Sequence, residues 1–346
     1  MEDKNKLSVD FFSIDEYNQL EKDWRKLERG HDMTIFQSYE WYKMFVEKSV
    51  PSDTLYYESV FVVVKENGVT SLIAPLWIVK KTFRIVNKKG IYILGRDSWS
   101  DYLNFIYDSL TLDMVKILID AVCKRYELHD FNFEQLRSSS LLFDYLKLLT
   151  SDFKDDSVCV SLVLPLSIES YCSKLSKNTR QNIRTAYNRL SKDNYVIRFV
   201  FDDANVDKER CLQIRQDKMK KKYDEVSFIR KTKYRLKNKL LFHFPRFLPI
   251  YDFPDSKVMT AYINDDIAAF FNYVVDSNSK SIIIIAAGTN LKYFKYSPGI
   301  LLMYNYICRT INDNRFRFVD FTRGDERYKI ALGGTLSSNV FVHYRI

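Results

Sequence analysis

Two stretches of this chain restrict its fold more than any other feature. VFVVVKENGVTSLIAPLWIVKK, residues 60–81, is a pair of β-branched runs joined at Asn67-Gly68, a dipeptide whose tolerance of positive φ suits a tight hairpin. Residues 257–290, KVMTAYINDDIAAFFNYVVDSNSKSIIIIAAGTN, repeat the plan as strand, polar turn at Asp265-Asp266, strand and a third strand. A hairpin alone is marginal in water, so each needs a packed layer. Helical spacing nearby supplies it: Trp24, Leu27, Trp41, Met44 and Phe45 predict two helices within Ser13–Lys48, and Leu112–Tyr126 and Leu141–Leu149 predict two more. With the two turns about 200 residues apart, the expectation is an α/β (α+β) protein of two similar tandem units. The boundary is expected near Ser151 to Ser161, where a polar stretch enters the strand-like VCVSLVLPL, giving units 1–155 and 156–346.

The chain of 346 residues, 46% apolar, 15% aromatic and 28% charged, is long and apolar enough for two ordinary domains and is no disordered tail. Its nine glycines exclude collagen-like or linker sequence, and five of them (Gly288, Gly299, Gly324, Gly333, Gly334) fall in the last 60 residues. The longest apolar runs, Leu72 to Val79 interrupted by Pro75 and Ile282 to Ala287, are shorter than the roughly 20 residues of a membrane span. The start, MEDKNKLSVDFF, has no signal-peptide pattern, so a soluble, cytoplasmic protein is expected, with peripheral membrane contact left open. Five cysteines (Cys123, Cys159, Cys172, Cys211, Cys308) form no CxxC pair and four histidines are scattered, so no metal site is expected. Neither GxxxxGK[ST] nor a GxGxxG after a strand occurs, which removes support for nucleotide hydrolysis and Rossmann-type redox chemistry.

Net charge is +9, and most of it sits in one segment. Arg215 to Lys239 holds eleven Lys or Arg against Asp217, Asp224 and Glu225. Such a stripe either attracts polyanions by counterion release or is a solvated helical surface.

Three segments carry candidate chemistry. A helix is expected to start at Ser297-Pro298-Gly299, with Ser297 capping free amides, Pro298 at the first position and Gly299 removing bulk. It either offers its positive end and amides to a phosphate or simply begins a buried helix, since Ile300, Leu301, Leu302, Tyr304 and Ile307 are apolar nearly all round. FRFVDF then places Phe316, Phe318 and Asp320 on one strand face; a carboxylate there is a site residue or a salt-bridge partner of Arg323 or Arg317. Beside it the loop TRGDERYK crowds Arg323, Tyr328 and Lys329, and Tyr328 is a candidate proton donor to a leaving thiolate. Finally, SKNTRQNIRTAYNRL has a helical stripe of Ile183, Ala186, Tyr187 and Leu190, with Arg180 and Arg184 four apart along its edge. They form an anion clamp if turned inward and are ordinary solvated arginines if turned outward.

LSKNTRQNIRTAYNRL, KYSPGILLMYNYI and FVDFTRGDERYK, with weaker echoes in FQSYEWYKMF and DYLNFI, resemble the CelD/BcsL-type acetyltransferases of the GNAT superfamily, relatives of the FemABX peptidyltransferases; the likeness runs over roughly residues 10 to 335. The resemblance implies two tandem GNAT-like units with mixed central sheets flanked by helices. It also implies an acyl-CoA, most simply acetyl-CoA, bound where two parallel strands of the second unit splay. Ala286, Ala287, Lys292, Ser297, Gly299 and Ile300 would hold that donor, and Asp320 and Tyr328 would serve as base or orienting group and as acid. Asp101, Tyr102, Arg180, Arg184, Arg323 and Lys329 would meet the substrates. The acceptor implied is an amine or hydroxyl of a sugar or envelope-polysaccharide precursor. The sequence departs from the usual Q/RxxGxG/A pyrophosphate signature, which is reduced to Lys292 and Gly299. Two other readings follow from that: a FemABX-like transferase taking an aminoacyl group from tRNA, which the basic segment would suit, and a non-catalytic glycan-binding or scaffold protein.

Overall fold

The computed structural model describes residues 6–49, 57–80, 88–95, 100–224 and 253–346. The first part runs β1 (Leu7–Ser13), a 3-10 turn (Ile14–Leu20), α1 (Glu21–Leu27), α2 (Tyr39–Ser49), β2 (Tyr57–Glu66), β3 (Val69–Val79), β4 (Gly90–Ile93), β5 (Ile106–Tyr107), α3 (Leu112–Tyr126), β6 (Asp130–Arg137) and α4 (Leu141–Leu149). The chain continues through β7 (Phe153–Val163), α5 (Ile168–Lys174), α6 (Lys177–Lys192), β8 (Ile197–Val200) and α7 (Lys208–Asp224). It ends with β9 (Lys257–Ile263), β10 (Asp266–Asp276), β11 (Ser281–Thr289), a 3-10 turn (Leu291–Tyr296), α8 (Pro298–Asp313), β12 (Phe318–Arg323), α9 (Arg327–Ala331) and β13 (Thr335–Arg345).

Local chemistry accounts for most boundaries. Asn67 and Gly68 take φ of 52° and 82°, the conformation a two-residue hairpin demands. The second hairpin turns at Asn264 and Asp265 (φ 48° and 66°), one residue earlier than expected, because Asp266 already pairs with Ile263. The hydroxyls of Thr111 and Ser140 accept from the Met114 and Phe143 amides and so begin α3 and α4.

Two compact units result: among the described residues, one comprises 6–158 with Ser337–Ile346, and the other Cys159 to Leu336. Each sheet has the same plan. In unit 1 the order is β1-β2-β3-β4-β6-β13, antiparallel except for the parallel pair β4 and β6. In unit 2 it is β8-β9-β10-β11-β12-β7, antiparallel except for β11 and β12. Parallel neighbours need a crossover, and α3 and α8 lie in the two crossovers. These are two tandem mixed α/β units, as the repeated hairpins predicted. The C-terminal strand departs from the sequence reading of 156–346 as one unit, because Asn339 to Arg345 pair with β6.

Helices bury each sheet. Unit 1 packs Trp24, Phe61, Phe131 and Phe133, all at 0% exposure, into one cluster. Unit 2 packs Ala261, Ile282, Leu301, Leu302 and Val319 with the α6 stripe of Ile183, Ala186 and Leu190. Each large apolar side chain so buried contributes about 1.5–3 kcal/mol. Among the described residues no helix is long and apolar enough to cross a membrane.

Candidate functional site

Within unit 2 the parallel pair comes apart. Ser281, Ile282 and Ile283 pair with Phe318, Val319 and Asp320, and the parallel register between β11 and β12 ends there. Two hydrogen bonds and one backbone conformation make the break. The Asp320 Oδ1 accepts from the Thr322 amide at 2.7 Å, Thr322 adopts φ 55°, and its hydroxyl donates to the Ile284 carbonyl at 3.0 Å. A side chain thereby replaces the next rung of the ladder, and an extra residue opposite β7 bends β12 away. From Ala286 to Thr289, β11 is in register with β10.

The residues beside the gap are small: Ala286, Ala287 and Gly288 follow four isoleucines. A Cβ on Gly288 would lie 2.2 Å from the Phe270 ring, so that position admits only glycine without repacking. Opposite Ala286 on β10 stands Asn272, fully buried, whose Nδ2 donates to the Ser256 hydroxyl and the Lys257 carbonyl while its Oδ1 has no partner. The Thr260 hydroxyl, on the neighbouring β9, is buried and unpartnered too. A buried polar atom without a bond costs about 1–3 kcal/mol, so the level of the break carries unmet hydrogen-bonding capacity.

Unit 1 has the corresponding bend without the gap. Gln135 in β6 takes φ 55°, but Leu103 pairs in parallel with Leu136 and donates its amide to the Gln135 carbonyl at 3.0 Å. Leu103 and Phe105 are buried there. The chain itself fills the place that unit 2 leaves to small residues.

Helix α8 meets this gap by its N-terminus. A Cβ on Gly299 would approach the Thr289 hydroxyl to 3.0 Å, so the glycine lets α8 close on the end of β11. Ser297 does not cap as expected: it sits at φ 49° and makes no side-chain cap, and its carbonyl takes the Ile300 and Leu301 amides at 3.0 and 3.2 Å. The 3-10 turn before it is fastened to α6, because Asp193 receives Lys295 at 2.8 Å and the Tyr296 hydroxyl, and Arg189 donates to the Lys295 carbonyl at 3.1 Å. Those bonds, Lys295 first and Tyr296 second, hold the Asp193 carboxyl below its ordinary pKa.

Comparison with known proteins gives this geometry a family context. Residues 177–330 match the acetyltransferase (GNAT) domain family. The match lies in unit 2, spans less than half of the chain, and supports a GNAT-superfamily transferase. No curated protein matches the chain. Among solved structures, a conserved protein of unknown function from Bacteroides thetaiotaomicron VPI-5482 is similar at 10% identity and TM-score 0.51, covering 99% of this chain and 100% of the other. FemX is similar at 11% identity and TM-score 0.50, with 98% and 97% covered. The C-terminal domain (DUF2156) of an Agrobacterium fabrum protein named for lysylphosphatidylglycerol synthetase reaches 12% identity and TM-score 0.52, with 96% and 92% covered. At these identities the likeness is one of fold.

Unit 2 brings some of the expected site residues together and leaves others apart. Ala286, Ala287, Asp320 and Tyr328 converge around the break. The Tyr328 ring packs between Phe271 and Phe321, with centroids 6.3 Å from each, and burial first and Glu326 second push its phenol above the ordinary value. Asp320, 6% exposed, holds the bend through the Thr322 amide. Ile300 is half-buried in the first turn of α8, and Lys292 lies at the surface with Asp266 3.5 Å away. Lys329 is turned inward: its Nζ donates to the Arg323 and Gly324 carbonyls at 2.7 and 3.0 Å and meets Glu326 at 2.8 Å, so its amine ties the loop that follows β12. Arg323, half-buried, supplies one of those carbonyls.

The two arginines of α6 form no clamp. Arg180 donates to the Cys172 and Leu175 carbonyls at 3.1 and 2.6 Å, closing the end of α5, and Arg184 is exposed. Asp101 and Tyr102 belong to unit 1, where Asn339 and Gln37 bond their carbonyls and the Tyr102 ring is buried against Phe36, with Arg137 4.1 Å from its centroid. Of the basic segment, α7 is described to Asp224; residues 225–239 lie outside the described residues. Among the described residues no three His, Cys, Asp or Glu could hold a metal ion together. Sequence reasoning overlooked Thr322 and Asn272. The D-F-T order, with a carboxylate two residues before the amide it binds, was the available signal for the first; a lone asparagine inside an apolar strand was the signal for the second.

Proposed function

We propose that unit 2 is an acyltransferase of the CelD/BcsL type, moving an acyl group, in the simplest case acetyl, from acyl-CoA to an amine or hydroxyl of a sugar or envelope-polysaccharide precursor in the cytoplasm. The observation that carries this reading is the break between β11 and β12, flanked by Ala286, Ala287 and Gly288 and closed at one end by the α8 N-terminus. A linear thioester arm fits a gap bordered by small side chains. Backbone groups of Ala286 and Ala287 would orient the carbonyl, and the first turn of α8 near Gly299 and Ile300 would face the diphosphate, with Lys292 outside it. The acceptor's lone pair attacks the carbonyl carbon, the carbon–sulfur bond breaks, the thiolate takes the Tyr328 proton, and the proton released by the acceptor passes to solvent. Asp320 acts by holding β12 in its bend. Arg184, Arg323 and residues of unit 1 remain candidates for the acceptor side.

Calorimetric titration tests the donor. Wild type should bind acetyl-CoA, and Ala287→Leu, which fills the gap at a half-exposed position, should weaken binding about 10-fold or more with unchanged melting. Equal affinity in both would overturn the site. Tyr328→Phe should lower kcat with little change in donor KM, and because its raised phenol stays protonated, no alkaline limb due to this residue should appear below pH about 10. A second reading, an aminoacyl group taken from tRNA, rests on the Arg215–Lys239 charge. It predicts salt-sensitive tRNA binding and turnover with aminoacyl-tRNA but not with acetyl-CoA.

A further inference from the structure

A cavity of about 300 Å³ opens in unit 2 at the other end of α8, where Thr310 and Asp313 face the start of β12, away from the strand break. Its floor is aromatic: Tyr273 and Tyr306, at 2% and 6% exposure, lie with centroids 5.2 Å apart, and Phe201 stands 5.5 Å from Tyr306. Its rim is charged, and most of that charge is already committed. Arg315 donates its Nε and one Nη to the two Asp313 carboxylate oxygens, each at 2.5 Å. Asp202 takes the Tyr273 hydroxyl and lies 3.9 Å from Lys257. Two groups of opposite sign are left over. Among the described residues neither the Arg309 guanidinium, 5.2 Å over the Phe201 ring, nor the Asp255 carboxylate has an ion-pair partner.

The size sits at the low end of ligand pockets, which excludes a nucleotide–carrier conjugate or an oligosaccharide and leaves room for one small molecule. Tilted aromatic rings favour a planar apolar body, and one uncommitted cation with one uncommitted anion favours a ligand carrying both charges. We propose that this cavity binds an aromatic α-amino acid, its carboxylate on Arg309, its ammonium toward Asp255 and its ring on Tyr273 and Tyr306. Nothing in this proposal depends on the donor site.

Calorimetric titration of the full chain with L-phenylalanine and L-tryptophan tests it, using 2-phenylethylamine and 3-phenylpropionate as single-charge controls. Saturable one-to-one binding is expected, weakened about 10-fold or more in each control and in Arg309→Gln and Asp255→Asn. Both substituted residues are exposed, so melting and acetyl-CoA binding should stay as in wild type. Absence of saturable binding at millimolar amino acid would overturn the proposal. So would controls that bind as tightly as the amino acids, or variants that bind like wild type.

Discussion

At the scale of single residues, the telling case is Asp320, whose carboxylate is bonded to the Thr322 amide at the place where β12 turns away. A base needs its charge, whereas a bend needs only an oxygen acceptor, and two substitutions separate these roles. Asp320→Asn should retain most activity, while Asp320→Ala should lose about 1–3 kcal/mol of stability and most of the activity. Equal and near-complete loss of activity in both, with stability kept, would restore the role of base. Lys329 follows the same logic. With its amine held by two carbonyls and Glu326, Lys329→Met should cost about 2 kcal/mol in denaturant unfolding, and a stable variant with weakened substrate binding would contradict that assignment. The sequence marked Asp320 as unusual, because a carboxylate closing an apolar strand face is rare, and placed Lys329 only in the charged loop beside it. It could not say what they touch, since a two-residue turn and a loop tie use the same side chains as a catalytic pair.

At the scale of elements, hairpins and helices were legible because their signals are local. Asn67-Gly68 and the spacing of Ile183, Ala186 and Leu190 each act within a few residues. The Arg180–Arg184 pair shows the limit: helical spacing put both on one edge, but only the preceding helix, whose end Arg180 closes, decided their direction. The glycine-poor composition also has a structural reading at this scale. Gly288 lies against Phe270 in the neighbouring strand, so Gly288→Ala should destabilise by about 1–3 kcal/mol, measured by urea unfolding, with partial recovery on adding Phe270→Leu. An unaffected midpoint in the single variant would mean that β11 and β10 are less tightly joined than these contacts require.

At the scale of the whole molecule, the offset between the two hairpins announced two units of one plan, and the sheets share one strand order. Hidden from the sequence was the pairing of the last strand with β6, because nothing local in TLSSNVFVHYR names a partner some 200 residues earlier. Hidden as well was the asymmetry between the units: both carry a left-handed residue in the second parallel strand, Gln135 and Thr322, yet Leu103 occupies the first opening and small residues border the second. That asymmetry is the physical basis for assigning chemistry to unit 2. Amide hydrogen exchange with and without saturating acetyl-CoA measures it most directly. The account predicts slowed exchange at Ile285–Thr289, Phe321–Gly324 and the first turn of α8, and unchanged exchange at Tyr102–Tyr107. Protection confined to Tyr102–Tyr107, or none in either unit, would contradict it.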